Sequence, residues 1–153
     1  MKLNINPLFR DLIPGLTKDE YSELENSLKK DGCLDAIKTW NGTIIDGHNR
    51  YDICKKNKID FEVMEMELDS EDDAKIWIIK NQFGRRNINV AQRAMLALEL
   101  EPLIAEQANQ RMLTGKPVDP VLISTQGRTR TKIADIAGIG ETTIYEAKKS
   151  KGE

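Results

Sequence analysis

The chain has little of what metal centres and disulfide scaffolds are made from. Its only histidine is His48, and its two cysteines, Cys33 and Cys54, share no CxxC spacing. These counts argue against a histidine-pair metal site, a zinc site and a disulfide framework, so no metal ligands are assigned and two reduced thiols are expected. Aromatic residues are 5% of the chain. No apolar run approaches the ~18 residues of a membrane span. The opening Met1-Lys2-Leu3-Asn4 has no signal-peptide pattern. A cytoplasmic protein with no membrane partner is the expectation.

What the chain does have is charge. Charged residues are 31% and hydrophobic ones 39% of 153 residues, the composition of a helix-rich globular protein with one ordinary domain and a small appendage. The net charge of -2 conceals an asymmetry. Residues 1–80 hold 12 Lys and Arg against 17 Asp and Glu, a balance of -5, whereas residues 81–153 hold 11 against 8, a balance of +3. A basic second half points towards a polyanionic partner.

Local signals divide the chain into an α+β part and a helical part. Thr17-Lys18-Asp19-Glu20 has the form of a capping box, opening a helix that carries Tyr21, Leu24 and Leu28 on one face and ends at Gly32. Asn41-Gly42 between Ala36–Trp40 and Thr43–Ile45 predicts a hairpin, because both turn residues tolerate positive φ. A short helix from Tyr51 to Lys56, a half-buried strand over Phe61–Met66 and a helix capped at Ser70 follow. Asn89 with Gln92 opens a long amphipathic helix, which Pro102 is expected to kink or split. Gly115–Pro120 and the polar Ser124–Arg130 read as a breaker-rich linker. The domains are drawn at 1–88 and 89–153.

The segment Lys132–Lys148, KIADIAGIGETTIYEAK, has the spacing of a helix-turn-helix at about 131–149. Ile133, Ala137, Ile139, Ile144 and Ala147 would form its small core, Ala134 would permit close approach, and Gly138 would make the turn with positive φ. Glu141, Thr142, Thr143, Tyr145, Lys148 and Lys149 then fall on the outer side of the second helix, where base edges and phosphates are contacted. Arg128, Arg130 and Lys132 add positive charge just upstream. Double-stranded DNA is the expected partner.

Thr43–Asp46 followed by Gly47-His48-Asn49-Arg50 reads as a strand, a tight turn and a helix N-terminus. Such an end offers unpaired amides and partial positive charge to an anion, with Gly47 admitting a phosphate and Arg50 gripping it bidentately. A second polar and basic cluster, Asn81, Gln82, Arg85 and Arg86, lies between two helices and could fold over the same ligand. The enzymatic alternative, a phosphotransferase or nuclease, would use Asp46 or His48 as base and Arg50 with Arg86 as charge stabilisers.

Together, the helix Thr17–Asp31, the stretch IIDGHNRYDICKKN, the segment IWIIKNQFGRRNINVAQRAMLAL and the helix-turn-helix resemble the ParB/sulfiredoxin superfamily over Leu12–Lys149. The resemblance implies a ParB/sulfiredoxin-like N-terminal domain followed by an all-helical DNA-binding domain. It implies nucleotide phosphates at Gly47, His48, Asn49 and Arg50, with CTP or ATP and magnesium as cofactors. The family's second motif, an acid, an asparagine and an arginine, matches imperfectly. In one register Lys80 replaces the acid, in the other Asn81 and Gln82 take the first two places, and neither supplies a carboxylate for a triphosphatase. No catalytic residue is assigned. Sulfiredoxin activity is rejected, because its turn needs a cysteine where His48 and Asn49 stand. A role in partition, maintenance or regulation of a chromosome, plasmid or mobile element follows, with a ParA-like ATPase as partner and a homodimer reading paired half-sites.

Overall fold

The structure, a computed structural model, describes residues 2–85, 88–115 and 126–151, the last without the side chains of residues 126–130, 132 and 151. The chain folds as two compact units, Met1–Asp69 and Ser70–Glu153. The helix that starts at Glu71 therefore groups with the helical unit, whereas a boundary at 88 assigns it to the N-terminal domain.

The first unit contains α1 (Pro7–Arg10), α2 (Lys18–Asp31), β1 (Ile37–Trp40), β2 (Thr43–Asp46), α3 (His48–Asn57) and β3 (Val63–Glu65). Its sheet has the order β2-β1-β3, with β1 antiparallel to β2 and parallel to β3. The hairpin turn adopts the conformation its sequence demands, with φ of 49° at Asn41 and 75° at Gly42. The capping box at Thr17 and Glu20 is formed in both directions. Two packed clusters hold this unit. Leu3, Ile37, Ile44 and Tyr51 form one, and Leu28, Ile53 and Cys54 form the other, with Phe61 packed against both.

Three features of this unit depart from expectation. Asn4 pairs with the hairpin, its N–H donating to the Gly42 carbonyl at 3.1 Å and its carbonyl accepting from Ile44 at 3.0 Å. The helix α3 begins at His48 instead of Tyr51, so His48, Asn49 and Arg50 form its first turn. The strand β3 is shorter than the Phe61–Met66 run, spanning Val63–Glu65, although the Glu62 carbonyl still accepts from Ile37 of β1 at 2.8 Å and the Met66 N–H donates to the Thr39 carbonyl at 2.7 Å.

The second unit is helical: α4 (Glu71–Phe83), α5 (Val90–Thr114), α6 (Gln126–Ala137) and α7 (Glu141–Lys151). Helix α5 runs through Pro102 without splitting, and Gly115, with φ of 72°, is its left-handed C-cap, so that glycine ends a helix before any linker begins. Gln126–Arg130, expected in a linker, are helical; α6 is longer than its polar start implied because Ile133, Ala134 and Ala137 are buried and anchor it. Residues 116–125 lie outside the described residues. Helix α5 packs against α4, α6 and α7, with Ala97, Leu100 and Ile104 buried along it. Among the described residues no helix is long and apolar enough to cross a membrane.

Because α5 is the helix on which the other three pack, a cavity in it weakens the unit as a whole. Leu100 is 0% exposed. Leu100→Ala is expected to cost about 2–5 kcal/mol of unfolding free energy in urea titration. A loss below ~1 kcal/mol would mean that this core is not packed as described.

Candidate functional site

The turn between β2 and α3 begins with an irregular strand pairing. Lys38 lies opposite Asp46 and Thr39 opposite Ile44, so Ile45 is an extra residue in β2. A bulge of this kind breaks the two-residue alternation, and Ile44, Ile45 and Asp46 are consecutively buried. The Asp46 carboxylate is thereby brought to Arg50. Arg50 Nη2 donates to Asp46 Oδ2 at 3.1 Å, while Nη1 donates to the carbonyls of Asp35 at 2.9 Å and Ala36 at 3.5 Å. The pair is well shielded from solvent, with side chains 15% and 9% exposed.

Gly47 is the N-cap of α3 at φ 99° and ψ 25°, and no side chain caps the helix. Its carbonyl accepts from the Tyr51 N–H at 2.9 Å, which is the first helical bond. The amides of His48, Asn49 and Arg50 precede that bond and have no carbonyl to reach within the helix. A Cβ at position 47 would lie 3.0 Å from Arg50 Nη2 and 3.3 Å from Ile37 Cγ1. The glycine therefore makes room for the Arg50 guanidinium itself, in addition to supplying positive φ. The two terminal nitrogens of Arg50 are thus engaged by the protein's own oxygens, and the bidentate grip on a phosphate expected from the sequence requires them to exchange partners.

His48 is 4% exposed, and neither ring nitrogen has a hydrogen-bond partner among the described residues. Burial, reinforced by the charge of Arg10, holds its pKa below the ordinary imidazole value against the opposing pull of Asp52 and Asp46. The ring is neutral near pH 7. Asn49 is half-buried beside it.

The second cluster lies at the C-terminal end of α4. Asn81 and Gln82 occupy its last turn, and their carbonyls accept from Gly84 at 3.3 Å and Arg85 at 3.0 Å. Gln82 is 2% exposed and its Nε2 has no partner among the described residues. Arg85 is half-buried, and Arg86 lies outside the described residues. The structure thus gathers Gly47, His48, Asn49 and Arg50 at one helix start, and Asn81, Gln82 and Arg85 at one helix end.

In the C-terminal pair, Ile133, Ala134, Ala137 and Ile144 are buried at 0–3% exposure and Gly138 makes the turn at φ 71°. Thr142, Tyr145, Lys148 and Lys149 are exposed on α7, whereas Thr143, expected to be exposed with them, is half-buried. Arg128, Arg130 and Lys132 fall on α6, and their side chains lie outside the described residues.

Reading the sequence missed Arg93. Its Nη1 donates to the carbonyls of Phe83 at 3.0 Å and Ala137 at 2.9 Å, and its Nη2 donates to that of Arg85 at 3.2 Å. The available signal was a cation in the first turn of α5, a turn that holds no acid, where the helix dipole favours one.

No family model matches the sequence, and no curated protein matches it. Solved structures similar to it include two of ParB N-domains. One, of the C2221 form of a Pnob8-like ParB-N domain, aligns with a TM-score of 0.69 and 19% identity over 95% of this chain and 64% of its own. The other, of the pNOB8-like ParB N-domain, aligns with a TM-score of 0.66 and 20% identity over 95% of this chain and 60% of its own. The chain thus spans under two thirds of the length of either structure, and its mixed α and β fold is that of a ParB N-domain.

Proposed function

We propose that this chain is a ParB-like DNA-binding protein whose hold on a duplex responds to a nucleoside triphosphate, acting in partition, maintenance or regulation of a chromosome, plasmid or mobile element. The observation that carries the reading is the two-faced α6–α7 pair. Its inner face is closed by Ile133, Ala134, Ala137 and Ile144, while Thr142, Tyr145, Lys148 and Lys149 stand outward on one helix. That arrangement suits a helix-turn-helix whose second helix enters the major groove, with Thr142 and Tyr145 towards the bases and the two lysines towards phosphates. Arg128, Arg130 and Lys132 on α6 would extend the grip on the phosphate backbone. A ParA-like ATPase and a second copy of the chain, reading a paired half-site, belong to the same proposal.

The nucleotide part rests on the start of α3. Uncapped first-turn amides behind a glycine form a seat for phosphate oxygens, and CTP or ATP is the ligand class proposed. Arg50 would add its charge by leaving Asp46. The α4 end, with Asn81, Gln82, Arg85 and Arg86, is proposed as the ligand-responsive element of the helical unit. Magnesium would accompany the nucleotide, and no protein ligand is proposed for it.

Two outcomes follow. In salt titrations of a labelled duplex, replacing Lys148 and Lys149 together with alanine should weaken binding and flatten the salt slope by ~1 for each phosphate no longer neutralised; unchanged affinity and slope would remove α7 from the interface. In thermal-shift titrations with CTP or ATP and magnesium, Arg50→Ala should weaken binding by about tenfold or more, the loss of a charge-assisted bond. Asp46→Asn, which releases Arg50, should tighten it. A folded Asp46→Asn variant that binds no better than the parent would mean that Arg50 does not serve phosphate.

A further inference from the structure

The Arg93 guanidinium sits where two helix ends meet. Phe83 is the last residue of α4 and Ala137 the last of α6, and both carbonyls accept from the same nitrogen, Nη1. Nη2 reaches one step beyond α4, to the Arg85 carbonyl. A helix C-terminus carries partial negative charge and up to four carbonyls without intrahelical donors, so one delocalised cation can satisfy and attract both ends together. The turn is built close against it: a Cβ at Gly138 would lie 3.6 Å from Arg93 Nη1. Arg93 is itself in the first turn of α5, where its charge opposes the local helix dipole. A residue that breaks a local rule, yet bonds to three carbonyls outside its own helix, is placed for its tertiary role.

From this geometry we infer that Arg93 is a positioning residue that couples the end of α4 to the turn ahead of α7, so that the outer face of α7 and the Asn81–Arg85 segment adopt their poses together. The inference rests on the proposed function only in what it couples: the candidate ligand-responsive end on one side and the candidate DNA-facing helix on the other. Lysine cannot replace arginine here. An ammonium is a point donor and cannot span three carbonyls in fixed directions, whereas a planar guanidinium can. Breaking the link leaves both segments folded but moving independently.

Amide hydrogen exchange on the full chain tests this, comparing the parent with Arg93→Lys. Four amides report directly: Gly84 and Arg85, which donate to Asn81 and Gln82, and Gly138 and Ile139, which donate to Asp135 and Ala134. In the ligand-free protein, Arg93→Lys should speed exchange at both pairs by about tenfold, with the C-terminal half of α5 unchanged. Acceleration at only one pair, or at neither, overturns the coupling. Acceleration throughout the unit would show general destabilisation, and Arg93→Gln at lower temperature would then have to give the paired, local pattern or the inference fails. A second arm adds a mixed-sequence duplex at low salt. Linkage requires that a duplex protecting α7 in the parent also changes exchange at Gly84 and Arg85. In Arg93→Lys at equal occupancy, α7 should stay protected while that distant response is lost; an equal response in both proteins overturns the inference. If no duplex protects α7, the DNA-binding reading falls, while the ligand-free comparison still decides the coupling.

Discussion

The organisation of the first unit depends on how β2 hands over to α3. Arg50 folds back over Gly47 to bond Asp46 and the carbonyls of Asp35 and Ala36, so one guanidinium ties together the end of β2, the start of α3 and the approach to β1. Each neighbouring feature follows from it. The bulge at Ile45 is what turns Asp46 to meet Arg50, positive φ at Gly47 lets the chain reverse tightly, and the absent Cβ leaves the space the guanidinium occupies. With Arg50 held in this way, the first turn of α3 is fixed with its amides uncapped and His48 buried beside them.

The helical unit uses the same chemistry for another purpose. Arg93 serves the carbonyl ends of α4 and α6 as Arg50 serves those of the loop before β1. Both arginines satisfy backbone oxygens that regular structure leaves over, and a forked, permanently charged donor suits that task better than lysine. The difference lies in what surrounds them. Arg50 has an aspartate partner that a competing anion could replace, whereas the three bonds of Arg93 are all to carbonyls. The proposed function asks the first to exchange partners with a ligand, and the inference drawn from the second asks it to hold two segments in register.

Much of this was legible from local sequence, and the reason is that it is local. The capping boxes Thr17/Glu20 and Asn89/Gln92 involve residues three apart, and the Asn41-Gly42 and Gly138 turns depend on backbone preference alone. The small residues at Ala134 and Ala137 likewise announced a tight helix pair. What escaped was set by partners distant in sequence. The Asn4 bridge and the Ile45 bulge exist only once the hairpin is formed, and neither has a pattern of its own. The i, i+4 spacing of Asp46 and Arg50 was visible, but the bulge that brings the two side chains together was not. The polar start of α6 reads as linker because its helical state comes from packing at Ile133 and beyond.

The chain combines a ParB N-domain fold with an uncapped helix start in its α+β unit and a helix in its helical unit whose Thr142, Tyr145, Lys148 and Lys149 are exposed, and the proposed function rests on the last two. The account stands on the claim that the first turn of α3 receives phosphate oxygen. Following backbone amide resonances while inorganic triphosphate is titrated into the full chain addresses that claim most directly. The account predicts saturable shifts centred on the amides of His48, Asn49 and Arg50; shifts that are absent there, or that centre elsewhere in the chain, would contradict it.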